Sequence, residues 1–250
     1  FRFFSVAAFM VSAFALNSCN NKKFHINGNI TEAQDSMLYL ENISLNGPVK
    51  IDSVKLGEDG AFAFDEAAMD SVTPEFYRLR IANQTINLSI DSTETVKVKA
   101  AYPQMSFKYE VEGSENCNKI KELSLKQMTL QSNINGLVKD PNIGNDSIES
   151  IVGRMLQAYK QDIKTNYIFK APMKAYSYFA LFQTVVIGGR PINIFDAHSS
   201  KADVQVYAAV ATSWDTYYPK SERGENLHNI ATDSYKNLKL TTNNPQYSPG

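Results

Sequence analysis

The chain is poor in the residues that carry most site chemistry. It has two cysteines, Cys19 and Cys117, and three histidines, His25, His198 and His228. The histidines are far apart and show neither His-Glu-x-x-His nor Cys/His ligand spacing, so nothing in the pattern supports a metal site. No Gly-x-Ser-x-Gly elbow occurs. Gly188-Gly189 is followed by Arg190-Pro191 instead of the Lys-Ser/Thr of a phosphate loop, and no strand is expected before it. Charge of one sign is missing too. With a formal net charge of −1 and Lys and Glu scattered along 250 residues, no bulk attraction to nucleic acid or to anionic lipid is expected. Only one apolar run is long, and it lies at the start.

That run, Phe3 to Leu16, carries no charge and follows Arg2. It is short for a helix of about 20 residues across a bilayer. It has instead the length of the apolar region of a secretory signal, with small residues towards its end. The next residues, Leu16-Asn17-Ser18-Cys19, resemble a bacterial lipobox, with Asn17 where Ala or Ser is more usual. The resemblance implies cleavage before Cys19 and acylation of its sulfur and new amine, since two or more chains hold a protein on a membrane where one does not. An ordinary cleaved signal with an incidental cysteine is the alternative. With Cys19 lipidated, Cys117 is left without an intramolecular partner. Asn20 to Lys23 lack the acidic residues found after the cysteine in surface-exported lipoproteins of the Bacteroidetes, so the expected location is the periplasmic side of the envelope, on the outer membrane.

From Phe24 to Gly113 apolar residues alternate: Phe24/Ile26/Ile30, Tyr77/Leu79/Ile81, Ile86/Leu88/Ile90, Val96/Val98 and Phe107/Tyr109/Val111, with turn residues between the runs. Asp59-Gly60 reads as a turn before Phe62 and Phe64. The expected fold is an antiparallel β-sandwich or open barrel. The segments FHINGNITEAQDSMLYLEN, VKIDSVKLGEDGAFAFDE and FYRLRI resemble the uncharacterised β domain DUF4369, on Gly28, Tyr39-Leu40, Ile51-Asp52-Ser53, Asp59-Gly60, Phe62, Phe64, Tyr77 and Leu79. Asp52 and Ser53 have no histidine in register to act as base, so they read as groups that satisfy strand-end donors.

After Gly113 the period becomes helical. Ile120, Leu123, Leu130, Ile134 and Leu137 share a face, with Ser114 as N-cap. Asp146-Ser147-Ile148-Glu149 has the form of a capping box before an amphipathic run to Ile163. Met173 to Val186 predicts an aromatic-rich helix, and Lys201–Tyr218 with Pro219–Leu238 predicts a helical hairpin. The whole reads as an α+β chain: a signal peptide at 1–18, a lipidated tether at 19–23, the β domain at 24–113, an all-α bundle of five helices at 114–238 and a linker at 239–250. The aromatics Tyr167, Phe169, Tyr176, Tyr178, Phe179 and Phe182 line either a groove or a core. Cys117, in a helix's first turn, is either an activated thiol or an inert one.

A lipobox, this β domain and a helical segment closing in YYPKSERGENL resemble Bacteroidetes lipoproteins of the TlpA/thioredoxin-like kind, in which a Cys-x-x-Cys domain follows. The resemblance implies that this chain is the membrane-anchored, non-catalytic region of a periplasmic thiol-disulfide oxidoreductase, cut before its redox domain. It implies no cofactor in these residues and no nucleic acid. Its partners would be the membrane, through Cys19, and periplasmic thiol or disulfide proteins. A stand-alone lipoprotein binding a peptide, glycan or protein is the alternative, and a passive envelope scaffold a third.

Overall fold

A computed structural model describes residues 22–68 and 72–243. The first eight strands are β1 (Lys23–Thr31), β2 (Met37–Ser44), β3 (Gly47–Lys55), β4 (Ala61–Ala67), β5 (Glu75–Ile81), β6 (Gln84–Ile90), β7 (Thr95–Ala101) and β8 (Tyr109–Glu112). They form two four-stranded sheets, ordered β4-β1-β7-β8 and β3-β2-β5-β6. The alternation read from the sequence is what the fold buries. Phe24, Ile26, Phe62, Phe64, Val96 and Val98 of one sheet meet Leu38, Leu40, Tyr77, Leu79, Ile86 and Leu88 of the other. Phe24 and Tyr77 bridge the sheets at 4.8 Å between ring centroids.

One pairing departs from the expected antiparallel sandwich. β1 runs parallel to β7, with His25 opposite Thr95, so the first sheet is mixed. Two glycines make this close packing possible. A Cβ on Gly28 would lie 1.7 Å from the Val98 carbonyl oxygen, and one on Gly60, at φ +66°, would lie 1.9 Å from that of Ile30. Phe107, expected on the last strand, falls in the turn before β8.

The helices are α1 (Glu115–Lys139), α2 (Asn145–Ile163) continued by a π-helical turn at Lys164–Ile168, α3 (Ala175–Leu181), α4 (Lys201–Tyr217) and α5 (Glu222–Asn243). Ser114 caps α1 as expected, accepting from the Cys117 amide at 3.3 Å. The anticipated capping box of α2 does not form. Its N-cap is Gly144, without a side-chain cap. In the last hairpin Pro219 lies ahead of the helix, and Ser221 Oγ accepts from the Gly224 amide at 3.0 Å. α5 continues to Asn243, past the boundary at Leu238 that the pattern suggests. No helix among the described residues is long and apolar enough to cross a membrane.

The second half is not all-α. Where one helix was expected to Val186, α3 stops at Leu181 and a hairpin follows, β9 (Thr184–Ile187) and β10 (Arg190–Asn193). Thr184-Val185-Val186-Ile187 is a run of β-branched residues that disfavour helix. Gly188 and Gly189, both at positive φ, close the two-residue turn. α1 then supplies what a third strand would. Gln131 accepts from the Val186 amide at 2.6 Å and donates to its carbonyl at 2.9 Å, and Gln127 donates to the Thr184 carbonyl at 2.7 Å.

Candidate functional site

Cys19, the expected lipidation residue, lies outside the described residues. The other residues singled out by sequence stay apart. Cys117 sits in the first turn of α1 but points into the sandwich core, fully buried. Its Sγ donates to the Ser89 carbonyl at 3.1 Å. Burial pushes the thiol up to about 11, against a smaller downward pull from that hydrogen bond and from Ser114. The helix terminus that suggested activation therefore does not yield a thiolate. Asp52 Oδ1 accepts from the Ser53 amide at 2.7 Å on the exposed edge strand β3, a local backbone role.

The histidines are separated in the fold as well. His25 pairs with Asp65 across β1 and β4, His198 Nδ1 lies 3.1 Å from Ser234 Oγ, and His228 Nδ1 lies 3.4 Å from Asp215 Oδ2. Among the described residues no three His, Cys, Asp or Glu side chains gather into a metal-sized group. Gly188-Gly189 does follow a strand, contrary to the sequence reading, but as the turn of a hairpin.

The aromatics divide. Tyr167, Tyr176 and Tyr178 are buried, whereas Phe169 and Phe182 are exposed. Tyr178 is the hub: its ring lies 4.8 Å from Trp214, 4.9 Å from Phe182 and 5.2 Å from Phe76, the last in stacked geometry. Phe76 belongs to β5, so this contact joins the helices to the sandwich. Arg223, from the first turn of α5, completes the joint. Its Nη2 donates to the Ile43 carbonyl at 2.6 Å and to Glu75 Oε2 at 2.8 Å. Its guanidinium lies over the rings of Phe76 (4.9 Å) and Tyr178 (5.7 Å). Asn42 donates to the Phe76 carbonyl at 3.2 Å. Burial lowers the Arg223 pKa, but the bonds and charges of Glu75 and then Tyr178 together more than offset it and the net shift is upward. A buried arginine linking a sheet carbonyl, a carboxylate and two aromatic faces was not legible in the sequence, where Arg223 stands as one cation in a polar stretch.

The same sheet carries a second arrangement that the sequence did not reveal. On β5 the outward residues are Phe76, Arg78 and Arg80; on β2 they are Tyr39, Glu41 and Ile43. Phe76 and Ile43 pack into the helical core, whereas the other four lie beyond it. Glu41, 8% exposed, accepts from Arg78 Nε and from Arg80 Nε at 2.9 Å, with Arg80 Nη2 at 2.8 Å. Burial raises its pKa, the two arginines lower it by more, and the carboxyl ends below its usual range. Arg80 and Lys50 both lie against the Tyr39 ring, at 4.6 and 5.4 Å. Elsewhere, a groove of about 670 Å³ runs between β7, β8 and α1, where Lys121 lies over Tyr109.

The fold thus defines a mixed two-sheet sandwich with a helical layer packed on one sheet. Residues 24–120 match the family described as Domain of unknown function (DUF4369), and this segment belongs to it. The match extends past Gly113 into α1, where Cys117 belongs to the sandwich core. None of the curated proteins matches the chain. Among solved structures, the crystal structure of (S)-allantoin synthase aligns at 11% identity and a TM-score of 0.25, over 38% of this chain and 45% of that one. A likeness at that score carries no argument about fold or activity.

Proposed function

We propose that the sandwich and its helical layer are the non-catalytic positioning region of a lipid-anchored thiol-disulfide oxidoreductase of the TlpA/thioredoxin-like kind, facing the periplasm from the outer membrane through Cys19. The observation that carries this reading is the Arg223 joint. It fixes the start of α5 to the backbone of β2 and to Glu75, so that whatever follows α5 is held at a defined angle to the anchored β domain. Cys117 supports the same division of labour. A thiol pushed up to about 11 and hydrogen-bonded in a core is unsuited to exchange, which needs an accessible thiolate. The redox pair would come from a separate domain, and the anchored region would set its reach and select its partners.

The experiment is to read the native frame past Gly250. A strand followed by Cys-x-x-Cys within one further small domain, about 100–150 residues, supports the proposal; a stop codon directly after Gly250 overturns it. Replacing Cys19 with serine is expected to release the protein from the membrane fraction, and retention of the variant there would remove the anchor from the proposal.

A further inference from the structure

We infer that the outer face of β2 and β5 beyond the helical layer is a binding site for an oxyanion group, a phosphate or carboxylate, gripped by the free Nη groups of Arg78 with Lys50 beside them, and held ready by Glu41 and Arg80. The arrangement differs from ion pairing that merely covers a polar sheet. One nearly buried carboxylate serves two guanidinium groups, and Lys50 stands beside them, so cations outnumber the acid. Arg80 is fully engaged, with Nε and Nη2 on Glu41 and Nη1 on the Ala82 carbonyl at 3.3 Å. Arg78 uses only Nε. Among the described residues its two Nη groups have no partner, and neither does the Lys50 ammonium apart from the Tyr39 ring.

The local geometry explains why these donors are preorganised. Glu41 lies directly opposite Arg78, and Tyr39 opposite Arg80. Across the sheet, Asn87 of β6 stands opposite Arg78 and Thr85 opposite Arg80, so the flank on that side is polar and uncharged. An arginine normally loses considerable side-chain entropy on binding an anion. Here the Glu41 hydrogen bonds and the Tyr39 ring have already restricted both side chains, which reduces that cost. The free edge of Arg78 is the planar fork that matches a carboxylate or phosphate with two parallel hydrogen bonds. Phe76 and Ile43, sealed under the helices, border the site on one side.

The role of Glu41 separates this site from general attraction by positive charge. Glu41→Gln makes the face more positive but releases both guanidinium groups from their orientation, whereas Arg78→Lys keeps the charge and removes the fork. Inorganic phosphate is titrated into the full chain while the Arg Nε–Hε and backbone amide signals of Arg78 and Arg80 are followed by NMR. A parallel series uses vesicles of phosphatidylcholine with and without phosphatidylglycerol. Saturable shifts at Arg78 and Arg80, weakened about tenfold or more in both variants, are expected, the size of one lost charge-assisted hydrogen-bonding interaction. Saturation with free phosphate assigns the source to a soluble anion. Saturation only with phosphatidylglycerol vesicles, with the same variant pattern, assigns it to a lipid headgroup. Shifts that never saturate with either probe, tighter binding by Glu41→Gln, or undiminished binding by Arg78→Lys would overturn the site. Thermal melting identifies any variant that fails to fold, and if Glu41→Gln does so, Arg78→Lys decides. The test uses no downstream domain, so it stands apart from the redox reading.

Discussion

The two halves of the molecule are held together by different means. The sandwich core is a set of aliphatic and phenylalanine side chains on alternating positions, brought close by glycines that leave room for a neighbouring carbonyl. The helical half depends on long side chains that complete distant backbone. Tyr207 Oη donates to the carbonyls of Leu181 and Phe195, Gln183 donates to Leu123 and accepts from Tyr159, and Lys160 reaches Asp203 at 2.6 Å. The first mode follows a periodic pattern in the sequence; the second is specified by single residues 12 to 60 positions apart. Phe76, Tyr178 and Arg223 lie where the two modes meet.

The largest effects are expected at the glycines of the sandwich. Gly60→Ala would place a methyl group against the Ile30 carbonyl at an unfavourable φ, and a loss of more than about 4 kcal/mol is expected. It should read as a collapsed amide dispersion of the β domain in NMR, and a native-like spectrum would refute the close-packing argument. Next come the joint residues. Phe76→Ala is expected to cost about 3–4 kcal/mol, and Arg223→Ala, which strands Glu75 and the Ile43 carbonyl, about 3–5 kcal/mol. Chemical denaturation of the double variant should show less than the sum, because the two share one contact. Full additivity would mean the joint is not a unit.

Smaller effects sharpen the contrast. Glu41 has a depressed folded pKa, so its stabilisation is present above the unfolded carboxyl value and is lost as pH falls through the folded one. Acid unfolding curves of wild type and Glu41→Gln should converge at low pH and separate near neutrality. Cys117 has the opposite sign: burial raises its folded pKa above the ordinary thiol range, to about 11. Its contribution is complete below the unfolded pKa and fades as pH rises towards 11, and the native thiol should resist a disulfide reagent until the chain unfolds. Least of all, Asp52→Asn on the exposed edge should change stability by no more than about 0.5 kcal/mol.

How much of this the sequence disclosed follows from the same division. The period-2 runs located five of the eight sandwich strands or their cores, β1, β5, β6, β7 and β8, and the Asp59-Gly60 turn before β4 was visible because glycine is required there. The parallel β1–β7 pairing was not, since alternation gives a strand's face and not its neighbour. In the second half, period alone placed α1, α2, α4 and α5, but it merged α3 with β9. Aromatic and β-branched residues from Met173 to Val186 satisfy a helical pattern as well as a buried strand, and the hairpin exists because Gln127 and Gln131 of α1 meet its backbone. Arg223 and the Glu41 cluster were invisible for the same reason: each is defined by partners that only the folded chain brings together.

Arg223 and Phe76 fix the helical layer to the sandwich, and an inter-label distance reports that fixing directly. With Cys19 replaced by serine and Cys117 left in the core, spin labels at Lys97→Cys on β7 and Asp233→Cys on α5 are measured by double electron–electron resonance. A single narrow distance distribution that broadens on Arg223→Ala is the expected result. A broad distribution in the otherwise native chain, or a narrow one that Arg223→Ala leaves unchanged, would contradict it.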